Sequence, residues 1–319
     1  MKELSDRILR RSRELLYLRQ VRGILDTAPI IPRDDGVVLF SMIGTRVLLP
    51  YLVAVKSLHH FLQRGRVVIL DDGTLTQEDK EVLRHHCGNP EIRLFSDVDT
   101  KGCPTYTSWR RLFTLLDLRR ENYVIQLDSD TVTIGDVPLV RSQIENGRDF
   151  ILMGEPGVEF SAPGDVAAQA RAHPEYQREH VHVQLAMEAQ MDKVRIPGRD
   201  TLSYARGCAG FAGFAPDASG SQLAEAFSAE ASRLLGFDHW KQWGSEQVTS
   251  NFLVSNEPGS VLLPYEHYCN FWNEPYGDDM RFVHFIGTFR FHGGLYGRLS
   301  RIMADKLRAA ETALRCDAA

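Results

Sequence analysis

The chain lacks several features that would assign it quickly. Its five cysteines, Cys87, Cys103, Cys208, Cys269 and Cys316, include no Cys-x-x-Cys pair. An odd count without metal-ligand spacing fits reduced thiols in a cytosolic protein and argues against a disulfide framework. No uncharged apolar run approaches the roughly 18–20 residues of a spanning helix. The start, Met-Lys-Glu-Leu-Ser-Asp, has no apolar stretch of a secretory signal, so a cytoplasmic protein is expected. Gly-x4-Gly-Lys-Ser/Thr is absent, which excludes a P-loop kinase. There is no internal repeat and no low-complexity tract. The net charge is only −5, so no global field recruits nucleic acid.

What is present is ordinary in bulk. A hydrophobic share of 43% and a charged share of 25% suit a soluble globular protein, and 319 residues suffice for one large α/β domain or two small ones. Residues 2–25 read as a helix, with Leu4, Ile8, Leu15, Leu18, Val21 and Leu25 near helical period and arginines opposite. Such a helix either packs on the domain, packs on a second subunit as a homodimer contact, or lies on anionic lipid as a peripheral membrane contact. Residues 27–35, with two prolines and Arg-Asp-Asp-Gly, form a linker or turn.

From there strands and helices alternate. Gly36–Thr45 reads as a buried strand ending in a small-residue loop. Leu48–Phe61 reads as a helix, Arg66–Leu70 as a strand, Thr76–His86 as a helix with Thr76 as N-cap, and Glu91–Phe95 as a strand. Helix Thr107–Leu118, a central strand from Tyr123, helix Pro138–Glu145 and strand Asp149–Met153 follow. This alternation predicts an α/β fold with a mainly parallel central sheet, whose ligands sit at the carboxyl ends of the strands. Residues 155–205 break the pattern, being polar and helix-like, and read as an insertion or lid. Gly207–Phe214 is rich in small residues, so backbone or ligand can approach closely. Strands are expected at Val261–Leu263 and Arg281–Phe285. The organisation expected is an N-terminal helix over 1–30, a main domain over 31–296 and a C-terminal helix over 297–319.

Two strings carry chemistry. Tyr123–Leu127 ends in Asp128, Ser129 and Asp130, and a β-branched run follows at once. Two carboxylates at i and i+2 past a strand end can face one hard cation, and Mg²⁺ or Mn²⁺ is commonly held between such acids and substrate phosphates. The alternative is a strand end with two solvated acids. In the second string His284 is followed by Gly287 and Arg290. An imidazole could complete a carboxylate-bound site, the glycine could admit a phosphate to the backbone, and the guanidinium could pair with its oxygens.

These strings, with Lys56-Ser57, Val68–Gly73, Arg111-Leu112, Glu246-Gln247 and Asn251, resemble the ordered motifs of GT-A-fold glycosyltransferases. The resemblance is to glycosyltransferase family 8, which holds glycogenin and bacterial lipopolysaccharide galactosyl- and glucosyltransferases. It runs from about Val37 to His292, with a gap over 155–205. It implies a Rossmann-like nucleotide-diphospho-sugar transferase fold. It also implies Mn²⁺ (or Mg²⁺) held by Asp128, Asp130 and His284. Donor contacts would come from Ser41, Thr45, Asp72, Arg111, Ser129, Gly287 and Arg290. Gln247 would lie near the anomeric carbon, and Glu246 is the candidate nucleophile of a double displacement. The reaction implied is retaining transfer of a hexose from a UDP-sugar to a glycan or lipid-linked acceptor in polysaccharide biosynthesis. Same-face attack assisted by the leaving phosphate is the favoured route.

Three departures stand out. Cys208-Ala209-Gly210 replaces the family's Asn-Ala/Ser-Gly, Glu246 replaces Asp, and Arg290 replaces Lys. Two rivals remain open. Asp128-x-Asp130-x-Val132 also fits a haloacid-dehalogenase-type phosphatase, although at least three strand-like runs precede it. A catalytically inactive GT-A sugar-binding subunit would tolerate Cys208. Trp240, Trp243, Trp272 and Tyr276 either stack on a sugar acceptor or pack in the core.

Overall fold

The computed structural model describes residues 2–317 other than Tyr276, and side chains over 9–310 other than Tyr276 and Thr288. Tyr276, Leu4 and Ile8 therefore lie outside the described side chains. The chain opens with α1 (Lys2–Gln20) and a 3-10 turn at Arg22–Asp26. The single helix expected over 2–25 ends earlier. Ile24 N–H donates to the Val21 carbonyl, and the Thr27 hydroxyl donates to the Ile24 carbonyl at 2.7 Å, so the last turn tightens. Of the apolar positions read from the sequence Val21 is buried, joined by Glu14 and Tyr17, while Leu15 is 53% exposed and Leu25 40%. Tyr17 fixes this rotation by stacking on Tyr296 at 4.1 Å, and Glu14 by pairing with Arg46 at 3.0 Å.

The alternation then unfolds as read: β1 (Val37–Ile43), α2 (Leu48–Leu62), β2 (Arg66–Asp71), α3 (Gln77–His86) and β3 (Glu91–Leu94). α3 opens with the capping box that Thr76 and Asp79 announce. α4 (Thr107–Leu118), β4 (Tyr123–Leu127), β5 (Thr131–Thr133), α5 (Pro138–Glu145) and β6 (Phe150–Met153) follow. The stretch 155–205 forms α6 (Pro163–Ala172) and α7 (Val183–Glu188), which close a small apolar cluster of Ala170, Leu185 and Ala189. β7 (Gly207–Phe214), α8 (Gln222–Leu235), α9 (Phe237–Trp240), α10 (Ser245–Ser255), β8 (Val261–Leu263), β9 (Tyr268–Asn270), β10 (Phe282–His284) and α11 (Leu295–Asp317) complete the chain. Among the described residues, no helix is long and apolar enough to cross a membrane.

The fold is mixed α/β. Seven strands form one sheet in the order β3-β2-β1-β4-β7-β6-β8, and β5-β10-β9 form a second. β1 and β2 pair in parallel, as do β6 and β8, while β7 runs antiparallel to β6. The mainly parallel sheet is thus present. Two compact units divide the chain: Met1–Arg93 with Leu127–Arg141 and Pro264–Ala319, and Leu94–Gln126 with Ser142–Leu263.

Within the first unit, β1 and β2 are buried almost throughout, and α2 is buried from Tyr51 to His59. Within the second, Trp109, Phe227, Phe252 and the fully buried Trp240 form an aromatic core, so Trp240 is a packing residue. Trp243 and Trp272 are exposed. Gly207 and Gly213 of β7 serve packing. A Cβ on Gly213 would lie 2.2 Å from the Phe150 ring, and one on Gly207 would lie 2.9 Å from Asn251 Oδ1.

Candidate functional site

The acid pair occupies the turn between β4 and β5, and the register of the small sheet brings an imidazole to it. β10 runs antiparallel to β5 with His284 opposite Thr131, and Phe285 N–H donates to the Asp130 carbonyl at 2.8 Å. His284 Nε2 consequently lies 3.3 Å from Asp130 Oδ1 and 3.9 Å from Asp128 Oδ2. One ligand atom from each of the three side chains falls within 4.8 Å of the others. Asp130 and His284 are buried, and Asp128 is partly open. The other ring nitrogen, His284 Nδ1, meets Asn270 Oδ1 at 2.9 Å. With that acceptor Nδ1 carries a proton, and Nε2 is the ring atom turned toward the carboxylates, where a bound cation would take its lone pair. Two carboxylates and a correctly turned imidazole are a donor set suited to Mn²⁺ or Mg²⁺.

Several supports hold the turn still. Ser41 is buried inside β1, and its hydroxyl donates to the Leu127 carbonyl at 2.6 Å. It therefore fixes the residue just before the acid pair. Thr133 N–H donates to Ser57 Oγ at 3.1 Å, which ties β5 to α2. The Ser129 carbonyl accepts from Tyr296 OH at 3.2 Å.

Burial pushes the Asp130 carboxyl up, but His284 and Arg290 outweigh it and hold the group below the ordinary carboxylate range. Arg290 is in direct ion-pair contact with Asp130, and its Nε donates to the Phe285 carbonyl at 3.1 Å. The guanidinium expected to meet a diphosphate thus rests on one of the acids. Gly287 is exposed with φ +35°, and a Cβ there would meet no atom within 4 Å, so its backbone is open to approach.

The other first-unit candidates lie at the ends of β1 and β2. Thr45 is exposed, donates to Asp79 Oδ2 at 2.6 Å and contacts the Thr74 carbonyl. Asp72 Oδ1 accepts from Thr74 N–H at 3.0 Å and from its hydroxyl at 2.6 Å. Gly44 packs close beside it: a Cβ there would sit 2.2 Å from Asp72 Oδ1, so the Asp72 and Thr74 side chains would have to turn away. Lys56 is buried, with Nζ 3.0 Å from His86 Nδ1 and 3.3 Å from the Thr27 carbonyl, so it is a structural lysine.

In the second unit, Arg111 Nη2 lies 3.3 Å from both carboxylate oxygens of Glu246. Their side chains are only 12% and 5% exposed. Ser250 Oγ also donates to Glu246 at 3.3 Å, and the Glu246 N–H donates to Tyr106 OH at 3.1 Å. Glu246 is therefore a buried, paired carboxylate. Gln247 is half-buried and its amide lies 3.4 Å from Gln184 Oε1. Asn251 donates to Tyr204 OH at 3.3 Å and to the Gly207 carbonyl at 3.2 Å, and Cys208 is buried in β7.

The residue that sequence reasoning missed is Asn270. β9 is three residues long, too short to show a period, and an isolated asparagine carries no metal-site signal.

No family model matches the chain, and no curated protein matches it. Solved structures do. Mouse xyloside xylosyltransferase 1 in its apo form is 12% identical with a TM-score of 0.47, covering 79% of this chain and 98% of that one. The galactosyltransferase LgtC, solved with donor and acceptor sugar analogs, is 13% identical with a TM-score of 0.48, covering 83% and 95%. The bifunctional glycosyltransferase WbbM is 15% identical with a TM-score of 0.48, and the 82% of this chain that aligns spans 47% of it. All three are glycosyltransferases, as the motif resemblance leads one to expect. At such identities and TM-scores these likenesses carry nothing about donor, acceptor or mechanism. Function is read from the site's own residues.

Proposed function

We propose that this chain is a metal-dependent glycosyltransferase that moves a hexose from a UDP-sugar to a glycan or lipid-linked acceptor with retention. The observation that carries the proposal is the convergence of Asp128, Asp130 and His284, with Arg290 against Asp130 and open backbone at Gly287. Asp128, Asp130 and His284 would hold Mn²⁺ or Mg²⁺, which when bound supplies Lewis-acid stabilisation of a departing diphosphate. Arg290 would turn from Asp130 to the phosphate oxygens, and the Gly287 backbone would admit them. UDP, hexose and retention rest on the motif resemblance.

For retention, the paired state of Glu246 favours same-face attack over a double displacement. Its carboxylate is buried and faces Arg111, which disfavours an attack on carbon. In the same-face route the acceptor hydroxyl attacks the anomeric carbon as the diphosphate leaves, and its proton passes to the departing phosphate oxygen. Gln247 is proposed to support the oxocarbenium-like centre through its carbonyl.

The phosphatase rival loses ground on position. Three strands precede β4, which leads into the acid pair and lies between β1 and β7, and an imidazole completes the cluster. The test is a screen of UDP-sugars for metal-dependent hydrolysis and transfer by the parent and by Asp130→Asn. Turnover lost in the variant supports the reading. Phosphate release from a generic aryl phosphate, with every nucleotide sugar untouched, overturns it.

A further inference from the structure

The sequence pattern puts Leu15 and Leu25 on one apolar face, which packs on the domain, on a second subunit or on anionic lipid. The structure turns that side of α1 outward. Leu9, Leu15 and Leu16 are 48%, 53% and 57% exposed, a density of open leucine that a surface helix of a monomer does not need. Leu9 and Leu16 lie two turns apart on one line, and Arg11 and Arg19 stand one turn to either side of Leu15. Arg10, Arg11, Arg19 and Arg22 are exposed on the same segment. The one acid among residues 9–22, Glu14, is buried and spent on Arg11 and Arg46. Over residues 9–22 the outward face is thus apolar and cationic, with no exposed carboxylate among these residues. That is the composition of a helix lying in an anionic lipid interface, where leucines enter the acyl boundary and arginines meet phosphates.

The opposite face of the same helix is tied to the acid pair. Tyr17 stacks on Tyr296 at 4.1 Å, and Tyr296 OH donates to the Ser129 carbonyl at 3.2 Å. A helix docked on lipid would therefore hold the acid-pair turn close behind it.

We propose that α1 docks this protein on an anionic membrane surface through Leu9, Leu15, Leu16, Arg11, Arg19 and Arg22. The docking stands on the exposed face alone. Its purpose, presentation of the site to a lipid-linked acceptor, rests on the transferase reading.

The test is flotation of the full chain with vesicles of phosphatidylcholine plus phosphatidylglycerol, against vesicles of phosphatidylcholine alone. Neither donor nor metal is present, so the outcome is independent of the transferase reading. Binding is expected to the anionic vesicles and to weaken as salt screens the arginines. Leu15→Ser with Leu16→Ser should weaken it about a hundredfold, roughly tenfold for each leucine. Arg19→Ser with Arg22→Ser should remove the preference for anionic lipid. These side chains are exposed, so circular dichroism and the melting temperature should match the parent. No binding by the parent, equal binding to neutral vesicles, or full binding by the leucine variant overturns the proposal. A dimer that dissolves in the leucine variant, with no vesicle binding, also overturns it and makes this face a contact between two copies.

Discussion

His284 Nδ1 lies 2.9 Å from Asn270 Oδ1, and the two residues are register partners in the parallel β9–β10 pair. The hydrogen bond is thus built by the sheet itself. It aims Nε2 at Asp130 and Asp128. Asn270→Ala is expected to weaken Mn²⁺ binding about 10- to 100-fold. Asn270→Asp keeps an acceptor at the same place and should retain most of the affinity. Calorimetric titration of Mn²⁺ into the three proteins checks this. Equal affinity in the alanine variant would show that the ring is held by something else.

Arg290 gives a prediction with two signs. It contacts Asp130 directly, so it competes with a cation for that carboxylate. Arg290→Gln should bind Mn²⁺ alone at least as tightly as the parent. It should bind UDP in the presence of Mn²⁺ about tenfold more weakly, since one charge-assisted contact to phosphate is lost. Parallel losses of both affinities would contradict the switch of partners.

Glu246 separates two mechanisms. With Arg111 it forms a buried pair in the second unit. Arg111→Met removes the cation facing that carboxylate and is expected to cost roughly 3–5 kcal/mol in urea denaturation. Glu246→Gln should cost less and leave turnover within about tenfold, because the group is not a nucleophile here. Abolished turnover in a stably folded Glu246→Gln protein would restore the double displacement.

Acid should destabilise the fold through His86. Burial, reinforced by the Lys56 cation beside it, pushes this imidazole down to about 4. On acidification the unfolded chain takes up the proton first, near the ordinary value of about 6.5. The stability is therefore complete above about 6.5 and is lost as pH falls through the window toward about 4. His59, pushed down to about 4 chiefly by burial, acts in the same direction. His86→Asn keeps an acceptor for Lys56 and removes the titration. Its melting temperature should fall less than the parent's between about pH 7 and pH 5, as calorimetry would show.

Much of the first unit was legible because its signals are local. Strand–helix alternation, the Thr76–Asp79 capping box and the acid pair after β4 are each written in a few neighbouring residues. His284 was found as a spaced motif, and the β5–β10 register carries it to the acids. Two things were not legible. The rotation of α1 depends on Tyr17 finding Tyr296, a partner from the other end of the chain, so of the apolar period Val21 packs while Leu15 and Leu25 stay open. Asn270 acts through a three-residue strand whose register is set by long-range pairing. The glycines of β7 were visible, but whether they yield to a ligand or to Phe150 is decided only by the neighbouring strand.

The central claim is that Asp128, Asp130 and His284 hold a cation that binds a nucleotide diphosphate. Isothermal titration of UDP into the parent protein, with Mn²⁺ and again with EDTA, tests it most directly, with Asp130→Asn as the control. Binding that requires Mn²⁺ and disappears in Asp130→Asn, with the variant's melting curve cooperative, is the expected result. No binding of UDP, GDP or other nucleotides with Mn²⁺ present, or binding unchanged in Asp130→Asn, would contradict it.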